Sequence, residues 1–364
     1  YRTIYMLTKK QVEEIREHLN KAQNPLFFFD NDNDGLCSFL LLQKYIGRGK
    51  GVPIRSFPEL SKEFFRKVKE LDADYIFILD KPVVSQDFLK EAEQINIPVV
   101  WIDHHLEENK IPEFVNYYNS SLDYIKGLNG EFKDNRYGGE PTTYLCYQVS
   151  QKKEDLWIAV IGCISDKFTP DFYSEFSKDY SDLSIKSKEA FDILYKSQIG
   201  KLARIFGFAL KDRTTNVINV LKLLMKVKSP YEIIDENNQN YILYKRFNQI
   251  NEKYQRLIKK AITTEKDSEG ILFFQYGGDL SISSELSNEL SYLFPKRIIV
   301  IMYLTGIKVN ISVRGKGIRS MVLNAIKDLD EASGGGHENA VGAQVKIKDL
   351  EKFKENLAKL IKEN

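Results

Sequence analysis

The chain has 364 residues, 43% hydrophobic and 29% charged, with a formal net charge of +2. That is the balance of a soluble globular protein with room for two domains and a sizeable core. No run approaches the roughly 18 apolar residues of a membrane span, and the opening Tyr1-Arg2-Thr3-Ile4-Tyr5-Met6 has no signal-peptide layout. Cys37, Cys146 and Cys163 fit neither a zinc spacing nor a disulfide framework, so a reducing, cytoplasmic setting with no membrane partner is expected.

An amphipathic helix is predicted over 8–22, with Thr8 near its cap. Pro25-Leu26-Phe27-Phe28-Phe29 reads as a buried strand and runs into Asp30-Asn31-Asp32-Asn33-Asp34-Gly35. A helix over 36–45 follows, closed by Gly47 and Gly49. A strand over 52–57 and a helix over 58–71 come next. Tyr75-Ile76-Phe77-Ile78-Leu79 is a third strand, ending at Asp80, and Pro82 breaks the element. A helix over 85–95 leads to the fourth strand, Pro98-Val99-Val100-Trp101-Ile102, directly ahead of Asp103-His104-His105.

Helices alternating with near-continuous apolar strands are the pattern of a parallel sheet covered on both faces. Parallel strands align their carboxyl ends on one edge, where ligands bind in open α/β sheets. Asp30, Asp32, Asp34, Asp80, Asp103 and His104 are therefore expected to converge. So many carboxylates share a desolvated site only with raised pKa values or with cations. Carboxylate oxygens plus an imidazole suit Mn²⁺ or Mg²⁺. The segment from Asp30 to Gly35 also matches the start of an EF-hand calcium loop. That loop needs a helix before it and a glutamate at its twelfth position, whereas here a strand precedes and Leu41 stands twelfth.

Residues 106–139 show little periodicity and are expected as loop. Gly138-Gly139 precede a helix over 140–150. The apolar segment over 156–165 is expected as a helix beneath the site, ending at Asp166, the next candidate ligand. Residues 186–266 have helical spacing and read as a connector between two domains. They hold 17 Lys+Arg against 8 Asp+Glu, and this basic middle could attract phosphate. Lys253, Arg256, Lys259 and Lys260 on its last helix could track a nucleic-acid backbone.

A second α/β unit begins near Gly270: a strand over 271–274, a helix over 281–294, and a hairpin of strands over 297–303 and 307–313 turning at Thr305-Gly306. Arg314 ends the hairpin, and a helix over 318–326 follows. Ser333-Gly334-Gly335-Gly336-His337 is expected as a glycine loop whose backbone amides form an anion nest, with Arg314 and His337 holding a phosphate. A strand over 344–347 and a Lys-rich helix over 349–362 finish the chain.

In this order the motifs resemble the DHH phosphoesterase superfamily, in the branch with an appended DHHA1 domain. Asp103-His104-His105 matches the naming motif, the segment from Asp30 to Gly35 the D-x-D-x-D-G motif, and Gly334-Gly335-Gly336-His337 the GGGH signature of the second domain. The resemblance implies a parallel-sheet DHH domain over 1–185, the helical connector over 186–266 and a smaller α/β DHHA1 domain over 267–364, with a cleft between the two domains. It implies two metal ions per site, Mn²⁺ or Mg²⁺. One would be held by Asp32 and Asp80, the other by Asp34, Asp80, His104 and Asp166, with Asp80 shared. Phe28 stands where many small-substrate members carry a histidine. That departure matches the RecJ-like exonucleases and gives Asp30 to the first ion, while the chain's length is closer to compact archaeal RecJ-like nucleases and to nanoRNase/pAp phosphatases.

The resemblance further gives His105 a contact with the scissile phosphate and Asp103 a supporting role. Arg314, Gly335, Gly336 and His337 would bind substrate. The implied activity is exonucleolytic hydrolysis of single-stranded DNA or RNA, as in DNA repair. A helicase or replication complex is a further implied partner, and a homo-oligomer an implied state. The same motifs also suit a nanoRNase/pAp phosphatase or a cyclic-dinucleotide phosphodiesterase. A Cdc45-like replication scaffold is the non-enzymatic alternative, disfavoured because every motif aspartate is present.

Overall fold

The computed structural model describes residues 6–55, 59–105, 110–121, 140–265 and 270–363. The chain divides into two compact units, with the boundary between Phe247 and Asn248.

The first unit is built on a five-stranded, wholly parallel sheet. Its strands are β1 (Pro25–Asp30), β2 (Lys50–Ile54), β4 (Tyr75–Leu79), β6 (Val99–Asp103) and β7 (Val115–Asn119), in spatial order β2-β1-β4-β6-β7. Two short strands, β3 (Glu59–Leu60) and β5 (Val83–Val84), pair separately. Both faces of the main sheet are buried. Phe27, Phe29, Phe77, Leu79, Val100 and Ile102 face one core, and Leu26, Phe28, Ile76, Ile78, Val99 and Trp101 the other. This is why the strands read as continuous apolar runs rather than alternating ones.

The helix after β1 differs from the expected 36–45. It spans Asn33–Ile46, because the Asp32 side chain accepts from the Gly35 N–H and caps it. Asn33, Asp34 and Gly35 thus form its first turn instead of a loop, and Gly47 closes it in the left-handed region at φ 72°. Where one helix over 58–71 was expected, the chain forms β3, a 3₁₀ turn at Lys62–Phe65 and a short helix Arg66–Glu70. β7 falls in a segment expected as loop, and residues 106–109 and 122–139, Gly138-Gly139 included, lie outside the described residues.

The helices Thr142–Ser150 and Leu156–Ser165 stack on Asn33–Ile46 beneath the sheet. Cys37, Cys146 and Cys163, one on each of these three helices, are free and buried. The expected connector is packed more deeply than its name suggests. Its helices Ala190–Lys196, Gln198–Ala209 and Thr214–Leu224 bury Ile193, Leu202, Phe206, Val217 and Leu221 in the first unit's core, joined by Leu243 and Tyr244. The unit boundary then falls inside the helix Tyr241–Glu265.

The second unit has a five-stranded sheet of β8 (Ile271–Gly277), β9 (Ile298–Thr305), β10 (Lys308–Arg314), β11 (Ser333–His337) and β12 (Ala340–Lys346), ordered β11-β12-β10-β9-β8. β8 and β9 are parallel across the helix Ser283–Leu293, and the other pairs are antiparallel. The helices Ile318–Ile326 and Leu350–Lys362 close an apolar core containing Val300, Ile311, Val313, Val341 and Phe353. The expected glycine loop is instead the edge strand β11, paired along its length with β12. The last strand accordingly starts at Ala340, earlier than the expected 344.

Candidate metal centre

The carboxyl edge of the first sheet positions the site. The last rung pairs Phe29 with Leu79 and Leu79 with Ile102, so one residue further on Asp30, Asp80 and Asp103 stand side by side. The Asp80 backbone N–H donates to the Ile102 carbonyl at 3.0 Å, and Asp80 takes the left-handed conformation at φ 58°. Gly35 lets the helix Asn33–Ile46 start directly against β1: a Cβ there would lie 2.3 Å from the Asp30 carbonyl oxygen.

Among the described residues of the first unit, the side chains form three groups, each with ligand atoms within 4.8 Å of one another: Asp30, Asp32 and Asp80; Asp34, His104 and Asp166; and Asp80, Asp103 and His105. His104 Nε2 lies 3.4 Å from Asp80 Oδ1 and 3.7 Å from Asp34 Oδ2, and its Nδ1 is 4.0 Å from Asp166 Oδ2. His105 Nδ1 meets the fully buried Asp103 at 2.8 Å, so Asp103 fixes the proton on that nitrogen.

Four residues that sequence reasoning missed complete the frame. Asp34 accepts from the backbone N–H groups of Thr142 and Thr143, at 2.9 and 2.6 Å, at the amino end of a helix where unpaired N–H groups favour an anion. The Thr142 hydroxyl also donates to Asp80 at 3.3 Å. The Asn33 amide bridges Ser165 Oγ and the Ala203 carbonyl, both at 2.8 Å. The fourth is Lys81, wholly buried, with Nζ 3.1 Å from Asp30 Oδ1. Only Lys81 left a legible signal, as a cation next to Asp80 in an otherwise apolar stretch.

The electrostatics fit divalent cations. Burial, then Asp34 and Asp32, hold the Asp80 carboxyl well above the carboxylate range. Burial raises Asp34 too, against the opposing pull of His104. Asp32 keeps solvent access at the mouth, yet the packing around its carboxyl, with Asp30 and Asp34 beside it, pushes it up to about 7. Burial pulls the His105 imidazole down, but Asp103 and Asp80 outweigh it and leave it raised. Crowded carboxyls that resist ionising are stabilised when positive ions enter. Oxygen donors with at most one imidazole in each of these groups and no thiolate suit Mn²⁺ or Mg²⁺.

Arg314 ends β10 with its guanidinium held by Asn288 Oδ1 at 2.7 Å, Ser284 Oγ at 3.2 Å and the Val313 carbonyl at 2.9 Å. Arg314 pairs with Ala340, and Ala340 with His337. Directly opposed residues in antiparallel strands share a face, so Arg314 and His337 flank the small Ala340 on one face. Gly335 and Gly336 lie on the same edge strand as His337. Of the basic residues expected to track a backbone, Lys253 pairs with Asp279 at 3.1 Å, while Arg256, Lys259 and Lys260 are exposed.

Residues 26–158 match the N-terminal domain of the DHH family, and residues 267–363 match the DHHA1 domain. The chain has the DHH–DHHA1 domain architecture. No curated protein matches it by sequence. Among solved structures it is similar to RecJ from Thermus thermophilus in complex with Mn²⁺, with a TM-score of 0.65 and 14% identity over 97% of this chain and 54% of that one. It thus spans about half the length of that protein. It is similar to an exonuclease RecJ bound to manganese, with a TM-score of 0.64 and 14% identity over 99% and 96% of the two chains. A pGpG-specific phosphodiesterase from Vibrio cholerae gives a TM-score of 0.50 and 12% identity over 94% and 100%. These likenesses establish the shared fold. The two domains and the clustered aspartates and histidines, which form candidate sites for two Mn²⁺ or Mg²⁺ ions, are typical of metal-dependent hydrolases. Among the described residues no helix is long and apolar enough to cross a membrane.

Proposed function

We propose that the protein hydrolyses single-stranded nucleic acid from an end. The observations that carry this reading are a carboxylate–imidazole centre on the edge of the first sheet and, in the second sheet, an Arg314–Ala340–His337 rung suited to a phosphate. In this reading Asp30, Asp32 and Asp80 hold one ion and Asp34, Asp80, His104 and Asp166 the other. When bound, two such ions supply Lewis acidity and an activated water for in-line displacement.

The chain's own groups do the rest. Asp103 aims His105 and favours its protonated form, whose Nε2–H donates to a non-bridging oxygen of the scissile phosphate. Arg314 and His337 grip a neighbouring phosphate, and Gly335 and Gly336 let it approach the backbone. Because Asn288 and Ser284 already hold the Arg314 guanidinium, little side-chain freedom is lost on binding. The exposed Arg256, Lys259 and Lys260 attract the remaining strand without reading its bases.

The test is a substrate panel with Mn²⁺: end-labelled single-stranded DNA and RNA of graded length, pAp, and linear and cyclic dinucleotides. Stepwise release of mononucleotides from the longer strands is expected. Hydrolysis confined to dinucleotides or pAp would overturn the strand reading while leaving the phosphodiesterase chemistry in place.

A further inference from the structure

Lys81 is the unusual member of the centre. Its side chain is wholly buried, and its ammonium lies 3.1 Å from Asp30 Oδ1. Its backbone is pinned on both sides, since the Trp101 indole N–H donates to the Lys81 carbonyl at 3.0 Å and the preceding Asp80 is tied to Ile102 at 3.0 Å. Pro82 follows directly and fixes the chain further. The lysine is therefore built into the carboxylate cluster and does not swing through solvent. A buried ammonium is tolerated only beside anions that compensate it, and Asp30 is such an anion.

The two groups of candidate ligands are thereby unequal. The group of Asp30, Asp32 and Asp80 has a resident cation on one of its carboxylates. The group of Asp34, His104 and Asp166 has backbone N–H donors and an imidazole, and no lysine or arginine nitrogen within 4.0 Å of Asp34 or Asp166 among the described residues. A divalent ion entering the first group meets an ammonium fixed a few ångströms away, where repulsion is poorly screened. An ion entering the second meets no fixed cation of that kind.

Taking the proposed two-ion centre as its basis, we infer that Lys81 is a positioning residue that makes the Asp30–Asp32–Asp80 site the weaker of the two. Lys81 orients Asp30 and cancels part of the charge that would otherwise draw in an ion. The Asp34–His104–Asp166 site fills first. The weaker site fills fully when a substrate phosphate brings negative charge to the same place, so substrate and the second ion bind together. The device ties assembly of the complete centre to the arrival of a phosphodiester.

Mn²⁺ titration of the intact chain tests this, by calorimetry and by electron paramagnetic resonance. The wild type is expected to bind two ions in separate steps at least about tenfold apart in Kd. Its first equivalent should give an uncoupled Mn²⁺ spectrum, with spin coupling only as the second binds. A non-cleavable phosphorothioate oligonucleotide should tighten the second step. Lys81→Met should bring the two steps together, whereas Lys81→Arg should keep them apart. The wild-type spectra carry the test even if Lys81→Met fails to fold. Coupled spectra from the first additions, or a Lys81→Met protein whose weaker Kd stays within twofold of wild type or rises, would overturn the role of Lys81. A wild type that takes up no stoichiometric Mn²⁺ would instead overturn the two-ion reading beneath it.

Discussion

Asp80 is held by its backbone as much as by its charge. Its left-handed φ of 58° is tolerated by Asp and Asn and resisted by most other residues with a Cβ. Asp80→Asn is therefore a cleaner test than Asp80→Ala: it keeps the conformation and a side-chain oxygen for the Thr142 hydroxyl, and removes the charge shared by the proposed sites. Mn²⁺-dependent hydrolysis is expected to fall by about a thousandfold or more, with an unchanged far-ultraviolet dichroism spectrum. Near-normal turnover in that variant would remove Asp80 from the reaction. At this scale the sequence was informative where a residue's chemistry is intrinsic, as with Asp30, Asp80 and Asp103 ending apolar runs. It was silent where a backbone does the work. The two N–H groups that hold Asp34 come from Thr142 and Thr143, 108 and 109 residues away in the chain, and any residue but proline in their places offers the same donor.

The elements divide by the same logic. β1, β4 and β6 are legible because strands buried on both faces leave unbroken apolar runs. β7 is not, since its Asn116-Tyr117-Tyr118-Asn119 sits at the edge of the sheet and mixes polar with aromatic residues. The start of the helix Asn33–Ile46 was misjudged because Asp32 is both a cap and a candidate ligand, and the ligand pattern masked the capping one. Ser333-Gly334-Gly335-Gly336-His337 misled in the opposite direction. Glycine weakens strands, yet here the antiparallel pairing with β12 supplies the order. Gly336 sits at φ 130°, and a Cβ on it would lie 2.5 Å from the Ala340 carbonyl oxygen. Gly336→Ala is expected to distort the end of the hairpin and displace His337. The readout is a KM for oligonucleotide raised about tenfold or more, with Mn²⁺ stoichiometry unchanged. An unchanged KM in that variant would overturn the substrate role given to this strand.

For the whole molecule, a charged centre sits on a large apolar core. Asp32, Asp34 and Asp80 all have folded-state pKa values above their unfolded ones. Such a carboxyl binds more protons folded than unfolded, so it favours the fold below its unfolded pKa. That advantage declines as pH rises toward the folded value. For Asp32 the window runs from 3.8 to about 7, and Asp34 and Asp80 shift in the same direction. In chelator the melting temperature should therefore fall by several degrees between pH 5 and pH 7.5. Added Mn²⁺ should restore it, with the larger gain at the higher pH, because the ion binds the ionised carboxylates of the folded state. A melting temperature in chelator that is flat or rising over this range would rule out the charge crowding described above.

Cys37, Cys146 and Cys163 belong one each to the three helices stacked beneath the centre, and burial pushes all three thiols up. A thiol that is neither exposed nor ionised is a poor nucleophile. Oxidants in the surrounding solution therefore meet a centre made of carboxylates and imidazoles, with its sulfur sealed in the floor below. Chemical labelling of those sulfurs is limited by how often the floor opens. The three positions thus act as clocks for local unfolding, each timing the departure of its own helix from the platform that holds the aspartates in place.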